Sequence, residues 1–225
     1  YKLNYDEKKE LALHIATQYL RHPIVGEAEV DNYMRFEQAN LDMLKHMLAD
    51  LEENDDYRNL EVKAVCEKPA LHATLTYMNY EELVKCASIM ANNIFVFWVS
   101  RNNDFYTSDF PIAIESHVKN SRSFYSGLIQ YGGEVLMPLS PNLSVSIYDC
   151  RYFENKKELD GCFIEADSKE VRRQNLIRYF YASRHVISLN NDFNLLESFY
   201  HFNGNNHVFM KPNLKAEVVS GLGRY

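Results

Sequence analysis

The run Ile94-Phe95-Val96-Phe97-Trp98-Val99 decides the fold class. It is short, continuous and built from β-branched and aromatic side chains, which is the pattern of a strand buried on both faces. Before it the apolar residues recur with a period near 3.6, and after it the apolar runs shorten and alternate. The chain is therefore expected to be α+β and a single domain over 1–225. A helical N-terminal half over about 1–92 should pack on a small, mainly antiparallel β-sheet over about 93–149, with a further strand near 185–189 and C-terminal helices over about 168–182 and 192–201.

Working back from that run, Leu11, Ala12, Ile15, Ala16 and Tyr19 mark an amphipathic helix from Tyr5 to Leu20 that should stop near Pro23. A longer helix follows from Gly26 to Asn54, and its Met34, Met43 and Met47 read as core packing. The acidic run Glu52 to Asp56 lacks the alternating spacing and the glycine of a calcium loop, so it reads as a solvated helix end. Pro69 should open a short piece reaching Tyr77, and Asn79 with Glu82 resembles a cap for a helix from Tyr80 to about Asn92.

Working forward, Arg101-Asn102-Asn103 reads as a tight turn into a strand at Asp104 to Thr107. Further strands are expected at Ile112 to Ile114, Glu134 to Met137 and Leu143 to Tyr148, and near Val186 to Ser188. Ser116 to Gly133 is a polar excursion, and Pro138-Leu139-Ser140-Pro141 fixes a strand-to-strand corner. Ser168 is a plausible N-cap for the helix that runs to Ala182.

Composition narrows the function classes. With 24 Lys and Arg against 31 Asp and Glu, the net charge of −7 repels phosphate backbones, so non-specific nucleic-acid binding is not expected. No apolar run reaches the ~18 residues of a membrane span, so no membrane partner is expected. The four cysteines, Cys66, Cys86, Cys150 and Cys162, form no Cys-x-x-Cys pair, which points to a reducing, cytoplasmic setting. The chain opens at Tyr1, and the sequence leaves open an upstream segment that was lost. No His-x-x-x-His or Glu-x-x-His pair occurs, and His201 and His207 are the nearest approach, so no metal is expected and no cofactor is named.

The motifs Gln18-Tyr19-Leu20-Arg21-His22-Pro23, Phe105-Tyr106-Thr107-Ser108-Asp109-Phe110-Pro111 and Met137-Pro138-Leu139-Ser140-Pro141 occur in order. They are followed by Asn175, Ala182 and the strand through Ser188. On them the chain resembles the domain of unknown function 4238 family of bacteria. The family's opening His-x-x-Pro segment is not found in this sequence. The resemblance implies a mostly helical front half followed by a small sheet. It brings no chemistry beyond the expectation of a bacterial accessory protein in phage defence.

Asp109 is the first candidate for chemistry, since a turn between strand ends can present it to a cleft, although Ser108 and Asp109 before a proline also suit a turn that bonds its own backbone. His14, Gln18 and Arg21 fall at i, i+4 and i+7 on the first helix and complete a catalytic candidate set with Asp109. Thr107, Ser108, Arg172 and Arg178 are the candidates for ligand binding, the arginines lying in the most basic segment of an acidic chain. The expected function is a hydrolase or nuclease-like activity on a small acidic ligand, in a polar cleft between the first helix and the Thr-Ser-Asp turn. The alternative is a non-catalytic protein- or ligand-binding accessory protein, whose mark would be a large exposed apolar patch.

Overall fold

The computed structural model describes residues 2–67, 80–102, 104–118, 128, 130–190 and 192–203. The expected piece from Pro69 to Tyr77, the Asn79 cap, His207 and most of the 116–133 excursion lie outside them. Helix α1 (Tyr5–Leu20) opens with a capping box, Asn4 accepting the Glu7 amide at 3.0 Å and Glu7 the Asn4 amide at 2.8 Å. It ends where expected, and Pro23 then begins α2 (Pro23–Leu51) rather than only closing α1. A proline fits the first turn of a helix, where its missing N–H has no acceptor to lose, so α2 starts before Gly26. After the single-turn α3 (Asp56–Asn59), α4 (Tyr80–Met90) leads into the sheet.

The strands are β1 (Ile94–Val99), β2 (Thr107–Ser108), β3 (Ala113–Ser116), β4 (Gly133–Ser140), β5 (Leu143–Tyr148), β6 (Cys162–Glu165) and β7 (Val186–Ile187). Five of them form one sheet of order β3-β4-β5-β1-β6, and β2 pairs with β7 in a separate ribbon. The deciding run is buried as expected, Phe95 and Val96 both at 0% exposure. It pairs antiparallel with β5 and parallel with β6, the one parallel pair of a mainly antiparallel sheet.

Because both edges of β1 are taken, the chain leaving Val99 cannot fold back on it, and the expected hairpin to a strand at Asp104 to Thr107 does not form. Instead Asn175 receives that backbone: its Oδ1 accepts the Tyr106 N–H at 2.9 Å and its Nδ2 donates to the Asp104 carbonyl at 2.8 Å. The corner after β4 also differs. Pro138 lies inside the strand, past the end of β3, where β4 has a neighbour on only one side and a missing donor is tolerated.

Helix α5 (Ser168–Tyr181) is capped by Asp167, which accepts the Glu170 amide at 2.8 Å, and not by Ser168. A carboxylate there adds attraction to the helix dipole. Helix α6 (Asn194–Asn203) ends the described chain. Among the described residues no helix is long and apolar enough to cross a membrane.

The two faces of the sheet are unlike. Phe95, Phe97, Val135, Met137, Val145 and Ile147 form the main core with Ala12 and Ile15 of α1 and Ala87 and Met90 of α4. Alternation puts Glu134, Ser144, Ser146 and Tyr148 on the opposite face, all buried. Phe110, 1% exposed, locks the end of α1 to this body: it stacks on His22 at 4.1 Å between ring centroids and lies 5.8 Å from Tyr19 and 6.3 Å from Tyr181.

Helix α2 overturns one expectation. Met43 and Met47 are exposed together with Phe36, Leu44, Leu48 and Leu51, the last at 75%, so the stripe read as core faces outward. Periodicity marks an apolar face without saying what covers it. Phe110→Ala should cost about 3–5 kcal/mol of unfolding free energy by removing a fully buried ring, which urea denaturation will measure.

Candidate functional site

The register of β3 and β4 sets Glu115 directly opposite Glu134. Two facing carboxylates repel, and Glu134 is 0% exposed, so a cation must join them. Arg173 of α5 supplies it. Its Nη1 donates to Glu115 at 2.5 Å and to Glu134 Oε2 at 3.0 Å, its Nη2 to Glu134 Oε1 at 2.7 Å, and its Nε to Glu170 at 3.0 Å. His117, just past β3, places Nε2 2.9 Å from Glu134 Oε2, and its ring meets the edge of Phe153. The Ser146 hydroxyl bonds Glu134 and accepts the Trp98 indole N–H at 3.0 Å.

Burial works to raise the Glu134 carboxyl, but hydrogen bonds from His117, Arg173 and Ser146 and the charge of Arg173 outweigh it and bring it from 4.5 to about 2. Burial beside that charge pushes the Tyr148 phenol strongly upward. The layer can hold charge in a fixed geometry, and its Glu115, His117 and Glu134 have atoms suited to a metal.

The second polar feature is a cleft of about 640 Å³ where α5 and α6 begin. Serine and asparagine dominate its wall, including Ser100, Asn102, Ser168, Asn190, Asn194 and Ser198. Arg101 there pairs with Glu165 at 2.7 Å, Asp104 accepts the Ser100 hydroxyl at 2.9 Å, and Asp192 caps the Asn194 amide at 3.0 Å. Arg172 is exposed on the same wall, and among the described residues it pairs with no carboxylate.

The residues singled out from sequence scatter over these features. His14 and Arg21 are exposed and Gln18 is half-buried, and among the described residues no hydrogen bond or ion pair joins any of them to Asp109. The first helix does reach the turn of Asp109, through His22 and Tyr19 on Phe110. Asp109 Oδ1 accepts the amides of Ser183 at 3.0 Å and His185 at 3.3 Å. Ser108 bonds the Phe110 carbonyl at 2.6 Å, and Thr107 pairs with Ile187. Arg178, 2% exposed, donates to the carbonyls of Pro111 and Leu136, and burial pushes its guanidinium down to about 9, so it stays charged at neutral pH.

Glu115, His117 and Glu134 are not singled out from sequence, and Arg173 stands out only as part of the basic segment of Arg172 and Arg178. The further signal is Glu134, a charge opening the apolar run Val135-Leu136-Met137. The cross-strand register that gathers the rest lies outside any local pattern.

The sequence profile of DUF4238, described as a protein of unknown function, matches residues 1–192, and the chain belongs to that family. No curated protein and no solved structure matches it.

Because the folded Glu134 carboxyl lies below its unfolded value, its contribution to stability is complete above about pH 4.5 and is lost as the pH falls toward about 2. Urea titrations across that window should show the wild type weakening and Glu134→Gln weakening less. At neutral pH Glu134→Gln should cost about 1–3 kcal/mol, since the buried amide leaves hydrogen bonds of the layer unmade while Glu115 and Glu170 still pair with Arg173.

Proposed function

We propose that this DUF4238 protein takes a small acidic ligand of the sugar-phosphate or nucleotide class in the cleft where α5 and α6 begin, and hydrolyses it. The observation that carries the reading is Arg172, a guanidinium on the cleft wall with no carboxylate of its own among the described residues. It lies one turn inside the N-terminus of α5, whose opening already carries Asp167 and Glu170, so the attraction for an anion rests on the guanidinium itself. The serine and asparagine wall suits the hydroxyls of a sugar, and it supports a phosphorylated sugar over a plain inorganic anion. Asp104 and Asp192 line the same cleft, and a carboxylate within reach of a bound phosphoester can take a proton from the attacking water. The proposal extends to the phage-defence role in bacteria that the family resemblance implies.

Thermal-shift titration with inorganic phosphate, ribose 5-phosphate and AMP tests this. At least one phosphorylated sugar should raise the melting temperature. Arg172→Glu should abolish that rise without lowering the melting temperature of the protein alone, and Asp104→Asn should keep binding while losing turnover. Equal binding by Arg172→Glu would sink the reading.

A second reading has its own support. Phe36, Met43, Leu44, Met47, Leu48 and Leu51 make the exposed apolar face expected of a protein-binding accessory protein. Helix α2 carries Glu27, Glu29, Asp31, Glu37, Asp42 and Asp50 against Arg35 and Lys45, a balance of 2 − 6 = −4 that opposes pairing with a second copy and favours a basic amphipathic helix. A leucine and lysine model helix should bind, and Met43→Asp with Met47→Asp should remove that binding while leaving the fold intact. Failure of the peptide to bind, or a dimer in sedimentation, would count against it.

A further inference from the structure

The seam between β3 and β4 holds more negative charge than the protein neutralises. Glu115, Glu134 and Glu170 surround the single guanidinium of Arg173, which leaves 1 − 3 = −2 among these four side chains. Glu134 is wholly buried, so water cannot spread that charge. We propose that Glu115, His117 and Glu134 bind a divalent cation of the class that accepts mixed nitrogen and oxygen ligands, represented by Zn2+ or Mn2+. The site is distinct from the cleft of Arg172 and does not rest on the ligand proposed there.

The spacing fits an ion. Glu115 Oε2 lies 3.7 Å and Glu134 Oε2 2.9 Å from His117 Nε2, and the ligand atoms of all three residues fall within 4.8 Å of one another. An ion about 2.0–2.2 Å from each ligand sets those ligands roughly 2.9–3.6 Å apart at tetrahedral or octahedral angles. Glu134 and His117 already stand at ligand spacing, while Glu115 moves inward and Arg173 Nη1, which bonds both carboxylates, gives way to the ion. Glu134 serves through Oε2, giving up the Arg173 Nη1 bond there at 3.0 Å, and keeps its Oε1 bond to Arg173 Nη2 at 2.7 Å. Glu115 is half-exposed and exchanges its Arg173 bond for the ion. His117 coordinates through the Nε2 lone pair, which requires the Nδ1–H tautomer of the ring. The Tyr152 hydroxyl at 3.0 Å on the His117 carbonyl holds that residue in place.

An independent observation comes from Gln174, which is 3% exposed. Its Nε2 donates to Glu170 Oε1 at 2.8 Å, which fixes the amide orientation, because the reverse would set oxygen against carboxylate. Its Oε1 is then buried with no partner among the described residues. An orphan acceptor beside a charged layer is what a water bound to a cation satisfies.

Isothermal titration of the EDTA-treated full chain with Zn2+ and with Mn2+ tests the site. One ion per chain should bind, and Glu115→Gln and His117→Ala should each weaken it roughly tenfold or more, the metal-free Glu115→Gln protein keeping a folded, cooperative melt while His117→Ala melts lower for the bond it removes from Glu134. Bound Mn2+ should broaden the His117 ring resonances before those of the other histidines. Glu134→Gln is not needed for the test, so its effect on folding does not cloud the result. No uptake, or uptake that survives the Glu115→Gln, His117→Ala double change, overturns the proposal.

Discussion

The ion pair of Arg173 with Glu134 fixes more of this molecule than its main core does. A carboxylate at 0% exposure is tolerated only with a close cation and satisfied lone pairs, and Arg173, His117 and Ser146 supply both. That requirement holds α5 against the polar face of the sheet at a set height. Arg178, one turn further on, repeats the constraint by reaching the carbonyls of Pro111 and Leu136. With α5 so placed, Asn175 lies where it receives the backbone of Asp104 and Tyr106. The segment after β1 is thereby held off the sheet, and the cleft opens between it and the start of α5. A hydrophobic interface slides at little cost; a buried charge pair with directional bonds does not.

The parts of the fold legible in sequence are those whose cause is local. Helix α1 ends at Leu20 and β1 spans Ile94–Val99 as read, because a capping residue, a proline and a run of β-branched and aromatic residues act within a few positions. What failed depended on partners distant in sequence. The residues Asp104 to Tyr106 have strand-like composition, yet the edges of β1 were already filled by β5 and β6. Strand β6 escaped notice because Cys162 to Glu165 alternates half-buried and exposed positions at the rim, with too little apolar signal to stand out. Met43 and Met47 of α2 have the period of a buried stripe, and only the tertiary arrangement left them outside, while Met34 is half-buried.

The candidate site was legible in the same uneven way. Arg172 stands out in sequence because its segment is basic in an acidic chain, and it lines the cleft. The run Thr107-Ser108-Asp109-Phe110-Pro111 drew attention for its polar residues, and nearly every group in it is engaged in joining elements. Thr107 pairs with β7, Ser108 closes on Phe110, Asp109 gathers the amides of Ser183 and His185, and the Pro111 carbonyl takes Arg178. A joint between several elements needs directional polar bonds as much as a catalytic centre does, so residue type alone does not separate the two.

What does separate them is whether the local charge is already cancelled. Arg172 and Arg173 are neighbours with the same side chain, and the helix turns them about 100° apart. Arg173 enters a layer with three carboxylates and is consumed by structure. Arg172 reaches a wall whose Glu165 is held by Arg101, whose Asp104 accepts a serine hydroxyl and whose Asp192 caps a helix. A cation whose acidic neighbours are otherwise engaged retains its attraction for an anion from solution. In the layer three carboxylates converge on one guanidinium, so Arg173 has no charge left to offer. Two arginines adjacent in sequence thus differ in what their neighbours have left them, a difference set by the faces of α5 and not by residue type.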